Sequence, residues 1–333
     1  MPSELPKSTR EWIDKILNVS PHSFEAVALE AFEIQYTHNP IYAAFAKAVG
    51  KTPDSVTGLT DLPFLPISFF KTHMVSTGTY HPVVYFESSG TTGMQNSRHL
   101  VKDIALYEAS FMAGFQQFYG APEEWCIIGL LPAYLERQHS SLIYMANALI
   151  KKTNNPASGF YLYEFEQLNL LLQQLEAAGQ KTLLLGVTFA LLDFAEQYPQ
   201  QLKHTVVMET GGMKGRREEW TRHQVHHYLQ QQLGVPAIHS EYGMTELLSQ
   251  GYSSGNGIFN IPEWLQLLIR QDDDPLAVSQ HGSGLINVID LANIHSCCFI
   301  ATDDVGTIYP NSSFEIAGRR DNSDLRGCSL LTA

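Results

Sequence analysis

The chain has 333 residues, 44% of them hydrophobic and 17% charged, enough for one large domain or two ordinary ones around a substantial core. Its 21 lysines and arginines face 34 aspartates and glutamates, a net charge of −13, and a field of that sign repels polyanions, so no nucleic-acid partner is expected. No run approaches the roughly 20 apolar residues of a membrane span, and Met1-Pro2-Ser3-Glu4-Leu5 lacks the basic and apolar regions of a secretory signal; cytoplasmic residence is the expectation.

Residues 8–18 open with a Ser cap signal and carry apolar residues at helical spacing. A second helix is predicted over 23–35 and a third after Pro40, the three forming a helical N-terminal segment, 1–60, that serves as packing scaffold. Pro63 and Pro66 then interrupt helical periodicity, so an extended connection leads into Ser68-Phe69-Phe70-Lys71. Val83-Val84-Tyr85-Phe86 is a short strand, 103–119 an amphipathic helix, and Cys126–Leu131 an apolar run of the kind buried on both faces of a parallel sheet. Helices are expected over 140–151, 166–178 and 216–233, and strands over 159–163, 182–187, 205–208 and 237–240. That alternation defines an α/β domain with a largely parallel sheet. Beyond residue 255 the strands 264–269, 284–289 and 298–302 are separated by Gly, Pro and Asp turns without long helices, which favours an antiparallel or mixed, barrel-like subdomain over 255–315.

The stretch Ser88-Ser89-Gly90-Thr91-Thr92-Gly93 packs hydroxyls and glycines directly after a predicted strand. Glycine lets backbone approach an anion closely, and successive N–H groups and hydroxyls supply donors, so the composition suits a polyphosphate. Taken alone it is equally the composition of a turn between two strands. The same holds for Glu209-Thr210-Gly211-Gly212, for Ser240-Glu241-Tyr242-Gly243-Met244-Thr245-Glu246, for Ala301-Thr302-Asp303-Asp304-Val305-Gly306 and for Gly318-Arg319-Arg320-Asp321 through Arg326-Gly327.

In this order the five blocks resemble the adenylate-forming superfamily of acyl-CoA synthetases, adenylation domains and luciferases, and within it the fatty-acid-activating acyl-protein synthetases of the LuxE type. Residues 63–71 and 131–137 resemble the same branch. The resemblance implies an adenylate-forming large N-terminal domain over 1–315, with mixed and parallel sheets, flanking helices and a small β-subdomain. It also implies a hinge-like motif and tail over 316–333, in which the C-terminal cap is missing or reduced. It implies ATP and Mg²⁺ as cofactors, with Ser88, Ser89, Gly90, Thr91, Thr92 and Gly93 on the β and γ phosphates. Thr245 is expected on the α phosphate, Glu246 on the metal, and Tyr242 with Gly243 on one side of the adenine with Gly211 and Gly212 on the other. Asp304 and Arg319 are expected at the ribose.

The wider superfamily follows the glycine-rich loop with a lysine, whereas Gly93 here leads into Met94-Gln95-Asn96-Ser97-Arg98; Arg98 and Lys71 are the candidate replacements. Cys297 and Cys298 lie in an apolar run and are expected to be buried. Cys328 stands where LuxE-type proteins carry an acylated cysteine, which implies transfer of the acyl group from AMP to this thiol and on to a reductase, acyltransferase or carrier protein. Two other readings remain open: an acyl or aryl-acid ligase that hands the adenylate to CoA or a carrier protein, and an inactive nucleotide-binding subunit. Phe189, Met208 and neighbours of Tyr134 are candidate pocket residues. His223, His226 and His227, at i, i+3 and i+4, are expected on a solvated helix face, and Asp272-Asp273-Asp274 at an exposed turn.

Overall fold

The computed structural model describes residues 4–88, 95–131, 139–211 and 220–320. The chain opens with helices α1 (Thr9–Leu17), α2 (Phe24–His38) and α3 (Pro40–Ala48). The Ser8 hydroxyl accepts from Glu11 N at 3.1 Å to cap α1, and Asn39 Oδ1 accepts from Tyr42 N at 3.0 Å to cap α3, whose first turn begins with Pro40. These helices pack on the far end of the sequence. Trp12 Nε1 donates to Leu291 O at 2.7 Å, Gln35 Nε2 to Asn293 O at 3.1 Å, and Asn39 Nδ2 to Ser296 O at 2.8 Å. Each is a buried polar group matched to a carbonyl that no strand claims, which welds the scaffold to the β-rich part.

Strand β1 (Leu65–Pro66) pairs in parallel with Ile300 and Ala301, and helix α4 (Phe69–Thr72) follows. Strands β2 (Val84–Glu87) and β3 (Arg98–Val101) pair antiparallel on either side of the Ser/Thr/Gly stretch in sequence. Next come α5 (Ile104–Tyr119), β4 (Cys126–Leu130), α6 (Ser141–Lys152), β5 (Gly159–Phe160), α7 (Phe165–Ala177) and β6 (Thr182–Val187). They are followed by α8 (Thr188–Gln197), β7 (Thr205–Thr210), α9 (Arg222–Leu233), β8 (Ile238–Tyr242) and β9 (Gly251–Ser253). The sheet order is β5-β4-β6-β7-β8-β9, parallel throughout except for β9. Every residue of β4 and β6 is buried, as expected of strands covered by helices on both faces.

Helix α8 has no counterpart in the sequence-based expectations. It starts at Thr188 directly after β6 ends at Val187, and Thr188 to Leu192, Phe194 and Ala195 are all buried. A helix apolar nearly all round shows no amphipathic period and reads as a continuation of the strand.

The last part contains β10 (Leu265–Arg270), β11 (Val278–Ser279), β12 (Gly282–Asp290), β13 (Phe299–Ile308) and β14 (Phe314–Arg319). They form an open sheet in the order β1-β13-β12-β10-β11, with β14 also on β13. The sheet is mixed, as expected; it does not close into a barrel among the described residues, because β1 and β11 remain at the two ends of the path. Residue 316 lies inside β14, so that strand runs across the boundary drawn from sequence. Among the described residues no helix is long and apolar enough to cross a membrane.

Candidate active site

In an open parallel sheet, ligand-binding groups collect at the carboxyl ends of the strands, where loops leave freely and helix N-termini point. Here β7 ends at Thr210 followed by Gly211, and β8 ends at Tyr242 followed by Gly243 to Glu246. Gly211 has φ +72, a conformation that a side chain disfavours, and its carbonyl accepts from Thr188 Oγ1 at 2.6 Å.

The β2–β3 pair flanking the hydroxyl-rich stretch is tied to this edge. Next to it Ser88 N donates to Ser97 O at 3.2 Å and Ser88 Oγ accepts from Ser97 N at 3.0 Å. The Ser97 hydroxyl then donates to Glu246 Oε1 in a short hydrogen bond. Glu246 is buried; burial pushes its carboxyl above the usual range, while Ser97 and the charges of Arg319 and Lys71 pull it back. Ser97 was not among the residues singled out from sequence. Its only signal is position, opposite Ser88 and next to β3.

The turn around Thr245 and Glu246 is held from below by two further residues that sequence did not mark. His99 is buried and burial lowers its pKa to about 4, so the ring is neutral; its Nδ1–H therefore donates to Thr245 O, 2.9 Å away. Asn293 Nδ2 donates to Glu246 O at 2.9 Å.

On the opposite side, β13 and β14 place Asp304 directly across from Arg319. Tyr242 Oη donates to Asp304 Oδ2 at 2.8 Å and Arg319 Nε donates to Asp304 Oδ1 at 3.1 Å. Burial, then the Asp304 charge, hold the Tyr242 phenol well above its ordinary pKa, so it stays the donor. The Tyr242 ring meets Phe259 and Phe314 edge-on, with centroids 6.1 and 5.4 Å apart. At the junction of the parallel sheet and the β-rich sheet, Tyr242, Asp304 and Arg319 form one hydrogen-bonded group and Ser88, Ser97 and Glu246 another, with the Arg319 charge acting on Glu246 between them.

Of the two candidate cations, Lys71 stands on α4 close enough for its charge to act on Glu246. Arg98 instead pairs with Glu87 at 2.7 Å and lies over the Tyr85 ring, 5.5 Å from its centroid. Ser89, Gly90, Thr91, Thr92, Gly93, Gly212, Tyr134, Cys328 and the hinge residues 321–327 lie outside the described residues.

Below Gly211 sits a buried polar cluster. Glu209 accepts from Ser240 Oγ at 2.7 Å and lies 3.5 Å from His226 Nε2 and 3.8 Å from Arg222 Nε. Burial alone would raise its carboxyl, but His226, Ser240 and Arg222 together hold it below the ordinary value. His226 is therefore not on a solvated face as expected from sequence: α9 turns it inward onto Glu209, while His223 and His227 are exposed. Beside this cluster, Thr210 Oγ1 donates to Glu241 Oε2 at 2.5 Å, and burial pushes the Glu241 carboxyl up to about 7. Cys126, Cys297 and Cys298 are buried free thiols. Phe189 and Met208 are buried too, and Asp272–Asp274 are exposed.

This arrangement, a parallel sheet meeting a second, mixed sheet with the site at their seam, is the large N-terminal domain of adenylate-forming enzymes. The fold is shared with the crystal structure of ATP-bound MatB from Rhodopseudomonas palustris, at a TM-score of 0.53 and 18% identity, over 83% of this chain and 56% of that one. An ATP-bound RpMatB-BxBclM chimera matches at a TM-score of 0.53 and 17% identity, over 83% of this chain and 56% of that one. The chain therefore spans little more than half the length of these solved structures. No curated protein matches it. Residues 18–333 match the model of the acyl-protein synthetase family LuxE, and the chain belongs to that family.

Proposed function

We propose that the protein activates a carboxylic acid with ATP. The acid's carboxylate oxygen attacks the α phosphorus, the bond from that phosphorus to the bridging oxygen breaks, and pyrophosphate leaves. A thiolate, for which Cys328 is the candidate after its proton passes to solvent, then attacks the acyl carbon of the mixed anhydride; the thioester forms as the bond from that carbon to the phosphate oxygen breaks and AMP leaves, and the thioester delivers the acyl group to a partner protein. Family membership supports a fatty acid as the substrate.

The observation that carries this reading is the short bond from Ser97 to Glu246, which ties the stem of the hydroxyl-rich stretch to a carboxylate within reach of the Arg319 charge. In-line displacement at phosphorus needs positioning and charge stabilisation more than covalent help. Ser88 and the loop residues 89–93 would donate to the β and γ phosphates, Thr245 to the α phosphate, and Asp304 and Arg319 would grip the ribose. Gly211 and Gly212 would allow close approach on one side of the adenine, with Tyr242 on the other. Lys71 and Arg319 would supply the positive charge that the loop itself lacks.

Glu246 fits a hard divalent cation: one carboxylate oxygen is engaged by Ser97, and a cation would relieve the cost of burying its charge. Mg²⁺ held there would neutralise charge on the phosphates.

Two measurements test the reading. Acid-dependent exchange of labelled pyrophosphate into ATP is expected with at least one member of a fatty-acid panel, and its absence with every acid would overturn the activation step. After incubation with ATP, Mg²⁺ and that acid, intact mass should rise by one acyl group in a hydroxylamine-sensitive linkage. Cys328→Ser should abolish the increment; an increment that survives this change would overturn the thiol assignment.

A further inference from the structure

Strand β13 is irregularly paired where it carries Asp304. Its ladder with β12 runs from Gly282 opposite Ile308 to Leu285 opposite Val305, and resumes with Asn287 opposite Ala301. Ile286 therefore stands against Thr302, Asp303 and Asp304 together, whereas an unbroken ladder would set it against Asp304 by itself. The ladder with β14 is irregular here too, between Val305 and Gly306. Bulges beside ligand sites re-aim side chains, and this one contains the carboxylate that Tyr242 and Arg319 share.

A bulge takes carbonyls out of the ladder, and buried carbonyls need donors. Arg270, the last residue of β10, supplies them. It is buried; Nη1 donates to Ile286 O at 3.0 Å and to Asn287 Oδ1 at 2.9 Å, and Nη2 donates to Thr302 O. Thr302 completes the stitch, because its hydroxyl donates to Ile286 O at 2.8 Å and accepts from Asp304 N at 3.2 Å. Among the described residues no carboxylate hydrogen-bonds Arg270; burial works against its charge, and Asp303 and Asp272 favour it only through space. A buried cation held by neutral acceptors is costly to keep. An apolar residue at 270 would avoid that cost but take the donors from Ile286 O, Asn287 Oδ1 and Thr302 O. The rigid guanidinium fork suits carbonyls on two adjacent strands at once.

We propose that Arg270 is a positioning residue for sugar recognition: by filling the bulge it fixes the backbone from Thr302 to Asp304, and so sets the Asp304 carboxylate where the ribose hydroxyls of ATP reach it. This deepens the adenylation reading above and rests on it. Tyr242 and Arg319 each donate to one Asp304 oxygen, and each oxygen has a second lone pair to offer a sugar hydroxyl. Whether that lone pair meets the sugar depends on where the backbone holds the carboxylate. Arg270 hydrogen-bonds none of the described residues assigned to the nucleotide; its effect runs through Ile286 and Thr302.

The test is calorimetric binding of ATP, 2′-deoxyATP and 3′-deoxyATP, each with Mg²⁺, to the full chain, which requires no knowledge of the acid. Wild type should prefer ATP to at least one deoxy analogue by on the order of tenfold, the worth of one hydrogen bond to a charged group, and Asp304→Asn should remove most of that preference. Arg270→Gln should remove most of it too, by weakening ATP while leaving the affinity for that analogue unchanged. Arg270→Lys, which keeps the charge but not the fork, should retain only part of it. Thr302→Val, which removes the hydroxyl and keeps the branched shape, should shift the preference in the same direction, and it decides the matter if Arg270→Gln shows no cooperative thermal transition. A preference that survives in the deciding variant, or affinities for ATP and analogue that fall together, would overturn the positioning role while the adenylation reading stands. Wild type binding all three nucleotides alike would overturn the ribose assignment of Asp304 and the role of Arg270 with it. No ATP binding by wild type would overturn the adenylation reading itself.

Discussion

Ser97 and Glu246, 149 residues apart, are joined by a short hydrogen bond between hydroxyl and carboxylate in a buried setting. That contact is the mechanical link between the β2–β3 pair that flanks the hydroxyl-rich stretch and the turn after β8. Replacing Glu246 with Gln keeps an oxygen for the Ser97 proton and removes the charge. Glu246→Gln should therefore fold normally and lose Mg²⁺-dependent pyrophosphate exchange by about 100-fold or more, the scale on which charge stabilisation at a reacting phosphate acts. Ser97→Ala should instead leave a buried carboxylate short of a donor, costing about 1–3 kcal/mol. Urea unfolding measures this as a lower midpoint at unchanged m.

Tyr242 and Arg319 converge on the two oxygens of Asp304. Tyr242→Phe retains the ring and its edge contacts with Phe259 and Phe314 but releases Asp304 Oδ2. The apparent KM for ATP should rise by about tenfold, the equivalent of one charged hydrogen bond at roughly 1.4 kcal/mol, with a smaller change in kcat. Asp304→Asn should give a larger rise in KM because both partners lose the charge they bind. Steady-state kinetics at saturating acid distinguish the two.

Gly306 shows how closely β13 and β14 approach. A Cβ there would overlap the backbone carbonyl oxygen of Glu315, which is not the end of a flexible side chain and cannot move aside. Gly306→Ala should separate the strands next to the Asp304–Arg319 pair. Thermal unfolding is expected several degrees below wild type, together with weaker ATP binding by calorimetry, although residue 306 lies outside the set assigned to the nucleotide.

Asp290 gives a pH signature. It is fully buried; burial raises its carboxyl from 3.8 to about 6, against the pull of Ser249, Leu248 and Ala292, which all donate to it. The folded state therefore holds a proton that the unfolded chain has released, so this group's contribution is fully present below about pH 4 and is lost as the pH rises through about 6. Urea unfolding between pH 4 and 6 should show stability declining with pH on this account. Asp290→Asn should flatten the decline, although an amide offers one acceptor oxygen for several donors and lowers stability at every pH. An unchanged slope in the variant would assign the pH dependence elsewhere.

The sequence by itself determined the features that depend on near neighbours. Ser8, Asn39 and Ser140 cap helices because a hydroxyl or amide oxygen two or three residues before a free N–H can reach it, and continuous apolar runs such as Cys126–Leu130 fall in the doubly covered sheet. Blocks in family order likewise pointed to Tyr242, Glu246, Asp304 and Arg319, which the fold does bring together. Tertiary structure alone decided the rest. It turned His226 inward to Glu209, hid α8 behind an uninterrupted apolar run, brought Lys71 rather than Arg98 within electrostatic reach of Glu246, and set Glu241 on the face opposite Tyr242. Each of these depends on which remote strand or helix lies alongside, and chain-local periodicity carries no information about that. A carboxylate at position 241 has the same local neighbours whether it faces solvent or Tyr252; only the β8–β9 register, which pairs it with Tyr252, decides which.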